Sequence, residues 1–125
     1  MVNEESVRTD PVEAAVSRWL TLPEVAEELG VDAARARQLY ADRQFLARRR
    51  GERRVLSVPA EFLADGALLK GLPGTLTLLA DVGYSDEEAL AWLFTEDPTL
   101  PGRPVEALRA NRGREVRRRA QASAF

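Results

Sequence analysis

Two short helix patterns separated by three residues constrain this chain more than any other feature. Thr21-Leu22-Pro23-Glu24 has the form of a capping box. In that motif the threonine oxygen takes an orphan backbone N–H of the first turn, and the glutamate reaches back to the threonine N–H. Pro23 lies in the first turn, where a missing N–H costs little. Leu22, Val25, Ala26 and Leu29 fall on one helix face, and Gly30 can take the positive φ that ends a helix. Asp32 suits the N-cap of a second helix from Ala33 to about Asp42, with Ala36, Leu39 and Tyr40 turned inward. Upstream, Val12 to Leu20 reads as a short helix with Trp19 and Leu20 inward.

Beyond the second helix, Phe45–Arg50 and Arg53–Val58 read as two short strands around Gly51-Glu52, with glycine at the first central position of a type II′ turn. Pro59 ends the second strand, and Ala60 to Leu63 begins another helical turn. A helix-turn-helix followed by an arginine-loaded hairpin is the pattern of a winged helix-turn-helix. Here charge enters the argument. The net charge of −2 hides four alternating blocks, namely −6 over residues 1–34, +6 over 35–54, −7 over 55–102 and +5 over 103–125. Seventeen of the eighteen basic residues are arginine, which favours forked recognition of phosphate and guanine over simple point charge. A pI near 5.3 argues against a chain coated all over by nucleic acid, but not against one local basic face.

Arg48, Arg49, Arg50, Arg53 and Arg54 place five like charges within seven residues, relieved by Glu52 alone. A solvated strand edge would also tolerate arginine, but this density points to contact with DNA phosphates. Alternation along the strands sends them to both faces, so about three reach one DNA backbone. On the second helix the outward positions are Ala34, Arg35, Arg37, Gln38 and Ala41. Small alanines let such a helix sit deep in a major groove. Arg35 and Gln38 are then the expected base readers, with Arg37 and Arg43 as phosphate clamps.

The chain has no cysteine and no histidine. Disulfides, thiol nucleophiles, finger-type zinc sites and imidazole catalysis are therefore unavailable to it. Gly71-Leu72-Pro73-Gly74-Thr75 lacks the following Lys-Ser/Thr of a phosphate-binding loop, and Asp86, Glu87 and Glu88 are better explained as the start of a helix. The expectation is a protein that is not an enzyme, with no catalytic residue, metal or cofactor. No run approaches the ~18 apolar residues of a membrane span, and the polar N-terminus lacks a secretory layout, so a cytoplasmic location is expected. In the tail, Ser6 and Thr9 are candidate targets of a serine/threonine kinase, since phosphate there would oppose binding to a polyanion.

In the second half, a helix is expected over Pro73–Val82 with Leu72, Leu76, Leu79 and Ala80 on one face and Gly83 as its stop. Ser85 to Glu88 forms another capping box, opening a helix that carries Leu90, Trp92, Leu93 and Phe94. A helix from Pro104 through Leu108 and a last one from Glu115 to about Ala122 complete the reading. The expected organisation is a flexible tail over 1–11, a winged helix-turn-helix domain over 12–66, and a helical domain over 67–125 packed on it. The fold class is thus mainly α, with a short β-hairpin wing and a C-terminal helical extension. The last basic block, Arg109, Arg112, Arg114, Arg117, Arg118 and Arg119, either pairs within the fold or extends a DNA footprint. No heptad pattern or long dimer helix is visible.

Leu22-Pro23-Glu24-Val25-Ala26-Glu27-Glu28-Leu29-Gly30-Val31 resembles the opening of MerR-type and excisionase-type winged helices. Several second-half motifs are more diagnostic: Leu72-Pro73-Gly74-Thr75-Leu76-Thr77-Leu78-Leu79, Gly83-Tyr84, Trp92-Leu93-Phe94-Thr95, Asp97-Pro98, Arg103 to Leu108, Arg114-Glu115-Val116, Arg118 to Ala122 and a final aromatic. Together they resemble a small actinobacterial family of winged-helix DNA-binding proteins, from about Leu20 to the C-terminus. The resemblance implies a regulator of transcription whose partner is double-stranded DNA. One departure stands out: Arg43-Gln44 replaces the glycine that usually closes the second helix before the wing. More weakly, Trp92 to Leu108 resembles the toxin-binding domain of one antitoxin class, which implies a protein partner at the C-terminal half instead.

Overall fold

The computed structural model describes residues 10–123, so Ser6 and Thr9, the candidate kinase targets, and the final aromatic lie outside the described residues. Helix α1 (Pro11–Ala15) starts at Asp10, whose carboxylate accepts from the N–H groups of Val12 and Glu13. The helix expected to run on to Leu20 stops at Ala15. Trp19–Thr21 is instead strand β1, which pairs antiparallel with β3 (Val55–Pro59) in the register Leu20↔Val58. Leu20 is buried as expected, but through a sheet. With β2 (Arg48–Arg50) these form a three-stranded sheet in the order β1-β3-β2.

Helices α2 (Leu22–Leu29) and α3 (Ala33–Ala41) follow the sequence reading closely. Thr21 and Glu24 form the reciprocal capping box, Gly30 takes φ 70°, and the Asp32 carboxylate accepts from the N–H of Arg35 at 2.8 Å. The glycine missing at the end of α3 is replaced by Arg43, which itself takes φ 57°. Its N–H donates to the Tyr40 carbonyl and that of Gln44 to the Leu39 carbonyl, a Schellman closure built without glycine. The hairpin turn is longer than the two residues expected. Gly51–Arg54 all lie in it, the Arg54 N–H donates to the Gly51 carbonyl, and Arg50 pairs with Val55. Arg53 and Arg54 therefore belong to the wing tip, not to a strand.

After a 3₁₀ turn at Ala60–Phe62, the minimal hairpin of β4 (Leu63–Ala64) and β5 (Ala67–Leu68) leads into the helical half. Asp65 and Gly66 both take positive φ there, the Asp-Gly pairing a tight hairpin favours. Helix α4 (Leu72–Asp81) buries Leu72, Thr75, Leu76 and Leu79. Thr75, not Ala80, completes its inner face, because the hydroxyl satisfies itself on the Gly71 carbonyl at 2.7 Å. Helix α5 (Asp86–Phe94) opens on the Ser85/Glu88 capping box, and α6 (Pro104–Arg109) and α7 (Gly113–Ala122) follow.

One apolar core runs through both halves. Val25, Phe45, Val58 and Phe62 from the first half join Leu72, Leu76, Leu90, Leu93, Val105 and Val116 from the second. Phe62 and Phe94 meet across the junction with ring centroids 5.8 Å apart. Polar bonds cross it as well. The Arg109 guanidinium donates to the carbonyls of Glu61 and Leu63, and that of Arg103 to the carbonyl of Ala15. The protein is mainly α-helical with a small antiparallel sheet as its wing.

Candidate nucleic-acid interface

Helix α3 has its buried side set by Ala36, with Leu39 and Tyr40 half-buried against the core and Tyr40 beside the Phe45 ring. That packing turns Ala33, Ala34, Arg35, Arg37, Gln38 and Ala41 to solvent. Arg35 and Arg37 have no carboxylate partner among the described residues. Gln38 donates to Asp42 one turn on at 2.9 Å, an exposed bond that a competing acceptor can replace. The small alanines flank these three polar groups, leaving the face free of bulky obstruction.

Strand alternation divides the wing arginines. Arg48 and Arg50 lie on one face of β2 and Arg49 on the other. The side chain of Arg48 is only 13% exposed, and its guanidinium meets Asp10 at 2.9 Å, Glu13 at 3.0 Å and Glu87 at 2.6 Å. Arg50 forks onto Glu13 at 2.8 and 3.0 Å and stacks over the Trp19 ring at 4.5 Å. Arg43 pairs with Asp86 at the start of α5. These three arginines join α1, the wing and the helical half.

The electrostatics follow from the contacts. Hydrogen bonds from Arg50, aided by Arg48, outweigh partial burial and hold the Glu13 carboxyl below the usual carboxylate range. Burial alone would lower the Arg48 pKa, but its bonds to Glu87 and Glu13 prevail and push it up, so the cation is fixed. Arg49, Arg53 and Arg54 remain at the exposed tip. Arg49 donates to the Arg54 carbonyl across the turn at 3.1 Å, which stiffens the tip without neutralising it.

Of the nine side chains expected at a DNA surface, six are exposed: Arg35, Arg37 and Gln38 on α3, and Arg49, Arg53 and Arg54 at the wing tip. The other three, Arg43, Arg48 and Arg50, are engaged with carboxylates. The sequence held a signal for that split, since positions two apart on a strand share a face and acidic blocks lie on both sides of the basic one. What it lacked was the pairing over some 40 residues that joins Arg48 to Asp10 and Glu87. Among the described residues no group of three or more acidic side chains is placed to hold a metal ion, and no helix is long and apolar enough to cross a membrane.

Comparison with known proteins bears on both halves. A family model described as the wHTH domain of DNA-binding protein Rv2175c matches residues 7–63, and one described as the Rv2175c C-terminal domain of unknown function matches residues 69–124. The DNA-binding protein Rv2175c of Mycobacterium tuberculosis (strain ATCC 25618 / H37Rv) is 43% identical, over 83% of this chain and 79% of that protein. The NMR structure of Rv2175c is similar with a TM-score of 0.77 at 40% identity, covering 86% of this chain and 82% of that one.

Proposed function

We propose that this chain, which belongs to the Rv2175c family of winged helix-turn-helix proteins, binds duplex DNA by laying α3 in the major groove and the wing tip on the flanking backbone. The observation that carries the reading is the exposed pair Arg35 and Arg37, without a carboxylate partner among the described residues, beside Gln38 on the second helix of the motif. Arginine forks onto guanine and glutamine onto adenine, while the alanines between them permit close approach. Arg49, Arg53 and Arg54 meet phosphates. Arg43, Arg48 and Arg50 hold the frame that presents them. The action is non-enzymatic regulation of transcription, needs no cofactor, and takes place in the cytoplasm. Residues 12–66 form the DNA-binding domain and 67–125 the helical domain that supports it.

A salt titration of duplex binding tests this. Each phosphate contact adds about −0.9 to the log–log slope of affinity against salt, so Arg49→Gln/Arg53→Gln flattens it by about two. Absence of binding at low salt would refute the reading. Arg35→Ala should weaken binding and relax preference at one base position, by about 1–3 kcal/mol. Phosphorylation of Thr9 or Ser6 by a serine/threonine kinase would add nearly two negative charges close in sequence to Asp10, and is proposed to weaken DNA binding. Unchanged affinity of Thr9→Asp at low salt would rule it out. A second reading, a protein partner at the helical half, has in its favour the open groove beside Tyr84, Ala91 and Trp92. A stoichiometric complex lost on Trp92→Ala would support it.

A further inference from the structure

The C-terminal arginines divide as sharply as those of the wing. Arg103 pairs with Glu106, Arg112 with Glu115 and Arg119 with Asp97, while Arg109 is spent on two backbone carbonyls. Arg114, Arg117 and Arg118 have no carboxylate partner among the described residues. Helix α7 buries Val116 and Ala120, and this turns Arg114, Arg118 and Gln121 outward along one exposed row. Arg114 and Arg118 stand one turn apart, where like charges repel by a few tenths of a kcal/mol.

Arg117 extends this row sideways, towards the start of α4. Its guanidinium lies over Gly71 and Gly113, with Nη1 2.9 Å from where a Cβ on Gly71 would be and 3.0 Å from that on Gly113. Its Cδ is 3.4 Å from the corresponding point on Gly74. The stem therefore packs on bare backbone and holds the charge at the mouth of an open cleft of about 620 Å³, beside exposed Lys70 and Arg114. A smaller hollow between Leu78 and Gln121 continues past Arg117 to Arg118. Glu115, the acid in this region, is taken up by Arg112 at 2.6 Å. Four cations thus share one surface of a chain whose net charge is −2.

We propose that Lys70, Arg114, Arg117 and Arg118 form a second phosphate-contacting surface, so that the helical domain also grips the DNA backbone. The inference rests on the DNA reading of the winged motif and gives the helical half a share of that work. DNA phosphate fits because the row is linear along a helix, solvent-facing, and built mainly from arginine, whose fork matches phosphate oxygens. Leu78 is the one large apolar side chain among the residues lining the two hollows, well short of the apolar centre a protein interface would use.

The test is a salt titration of the full chain on a mixed-sequence duplex, comparing wild type with Arg114→Gln/Arg118→Gln. Both side chains are exposed, so unfolding of the variant should match wild type. Each lost phosphate contact removes about 0.9 from the slope, so the double variant should flatten it by nearly two. A fourfold rise in salt would then weaken wild type roughly tenfold more than the variant. Arg114→Lys/Arg118→Lys should keep most of the slope, and Arg117→Gln should remove about one further contact. If the glutamine double variant keeps the wild-type slope while Arg49→Gln/Arg53→Gln flattens it, the surface does not meet DNA and the inference fails, with the winged-motif reading intact. If wild type binds no duplex at low salt, the winged-motif reading fails first and takes this one with it.

Discussion

Replacing Arg48 with alanine should cost stability and leave the DNA salt dependence alone. Its guanidinium holds Asp10, Glu13 and Glu87 within 2.6–3.0 Å, and these acids come from α1 and the start of α5. Removing one partner of a fully buried ion pair costs about 3–5 kcal/mol, because a charge is left without a partner or water. Arg48 is 13% exposed, but Asp10, Glu13 and Glu87 are 36%, 33% and 60% exposed, so water recovers much of their loss. An expected cost of about 2 kcal/mol follows, made up of three lost charge-assisted contacts, each reduced by the exposure of its carboxylate, and the repulsion left between Asp10 and Glu13. For a chain of this size that corresponds to a fall in Tm of about 8 °C. Thermal unfolding by circular dichroism at neutral pH measures it, with Arg49→Ala as the contrast. That exposed residue should change stability by less than about 0.5 kcal/mol and flatten the salt slope by about one. The reasoning is refuted if Arg48→Ala flattens the slope while Tm holds, since Arg48 would then have been free to meet phosphate.

Four further outcomes follow from the geometry. Thr21→Ala and Ser85→Ala each remove a capping-box oxygen, at 3.3 and 3.1 Å from the N–H it accepts, and should each cost about 1 kcal/mol by chemical denaturation. Glu13 has its pKa depressed in the fold, so its contribution is present above the unfolded carboxylate pKa and is lost as pH falls through the folded value. The Tm gap between wild type and Glu13→Gln should therefore be widest near neutrality and close in acid; a gap that widens in acid would contradict the assignment. Asn111 takes φ 64° at the end of α6, so Asn111→Gly should hold or raise stability, whereas Asn111→Val should lower it by about 1 kcal/mol or more. Gly71→Ala combines φ 83° with a Cβ 3.3 Å from the Leu108 side chain, and should destabilise by about 1–3 kcal/mol in urea unfolding.

Helices α2, α3 and α5 were legible because their first turns carry capping chemistry, whereas Asp10, the cap of α1, reads from sequence as the end of a tail. Thr21/Glu24, Asp32 and Ser85/Glu88 are local signals, and each forms the cap its spacing implies. Strand β1 was not legible, because three residues carry too little periodicity and Trp19–Thr21 becomes a strand only by pairing with Val58 and its neighbours nearly 40 positions away. The Asp65-Gly66 hairpin was readable in principle from its turn dipeptide, but it joins strands of two residues each. Arg43 shows the opposite limit. Its left-handed conformation violates the usual glycine preference and is held by the Schellman bonds of Gln44 and by its contact with Asp86, partners that local sequence does not announce.

The charge pattern carries the deeper lesson about the site. Density of arginine was the reason to expect a polyanion, yet density alone does not separate a cation awaiting a ligand from one already neutralised inside the fold. The alternating blocks supply the missing criterion. Acidic residues 10, 13, 86 and 87 fold onto the basic block from both sides and consume Arg43, Arg48 and Arg50, the members on the face turned toward α1 and α5. Asp97, from the acidic block before it, does the same for Arg119, while Glu106 and Glu115 inside the second basic block take up Arg103 and Arg112 three residues away. The cations left over are not scattered. They fall on the α3 face, the wing tip, the outer row of α7 and, at Lys70 and Arg117, the cleft beside that row. Internal pairing sets these cations apart from the arginines that hold the framework, and they are the ones on which the proposed DNA contacts draw.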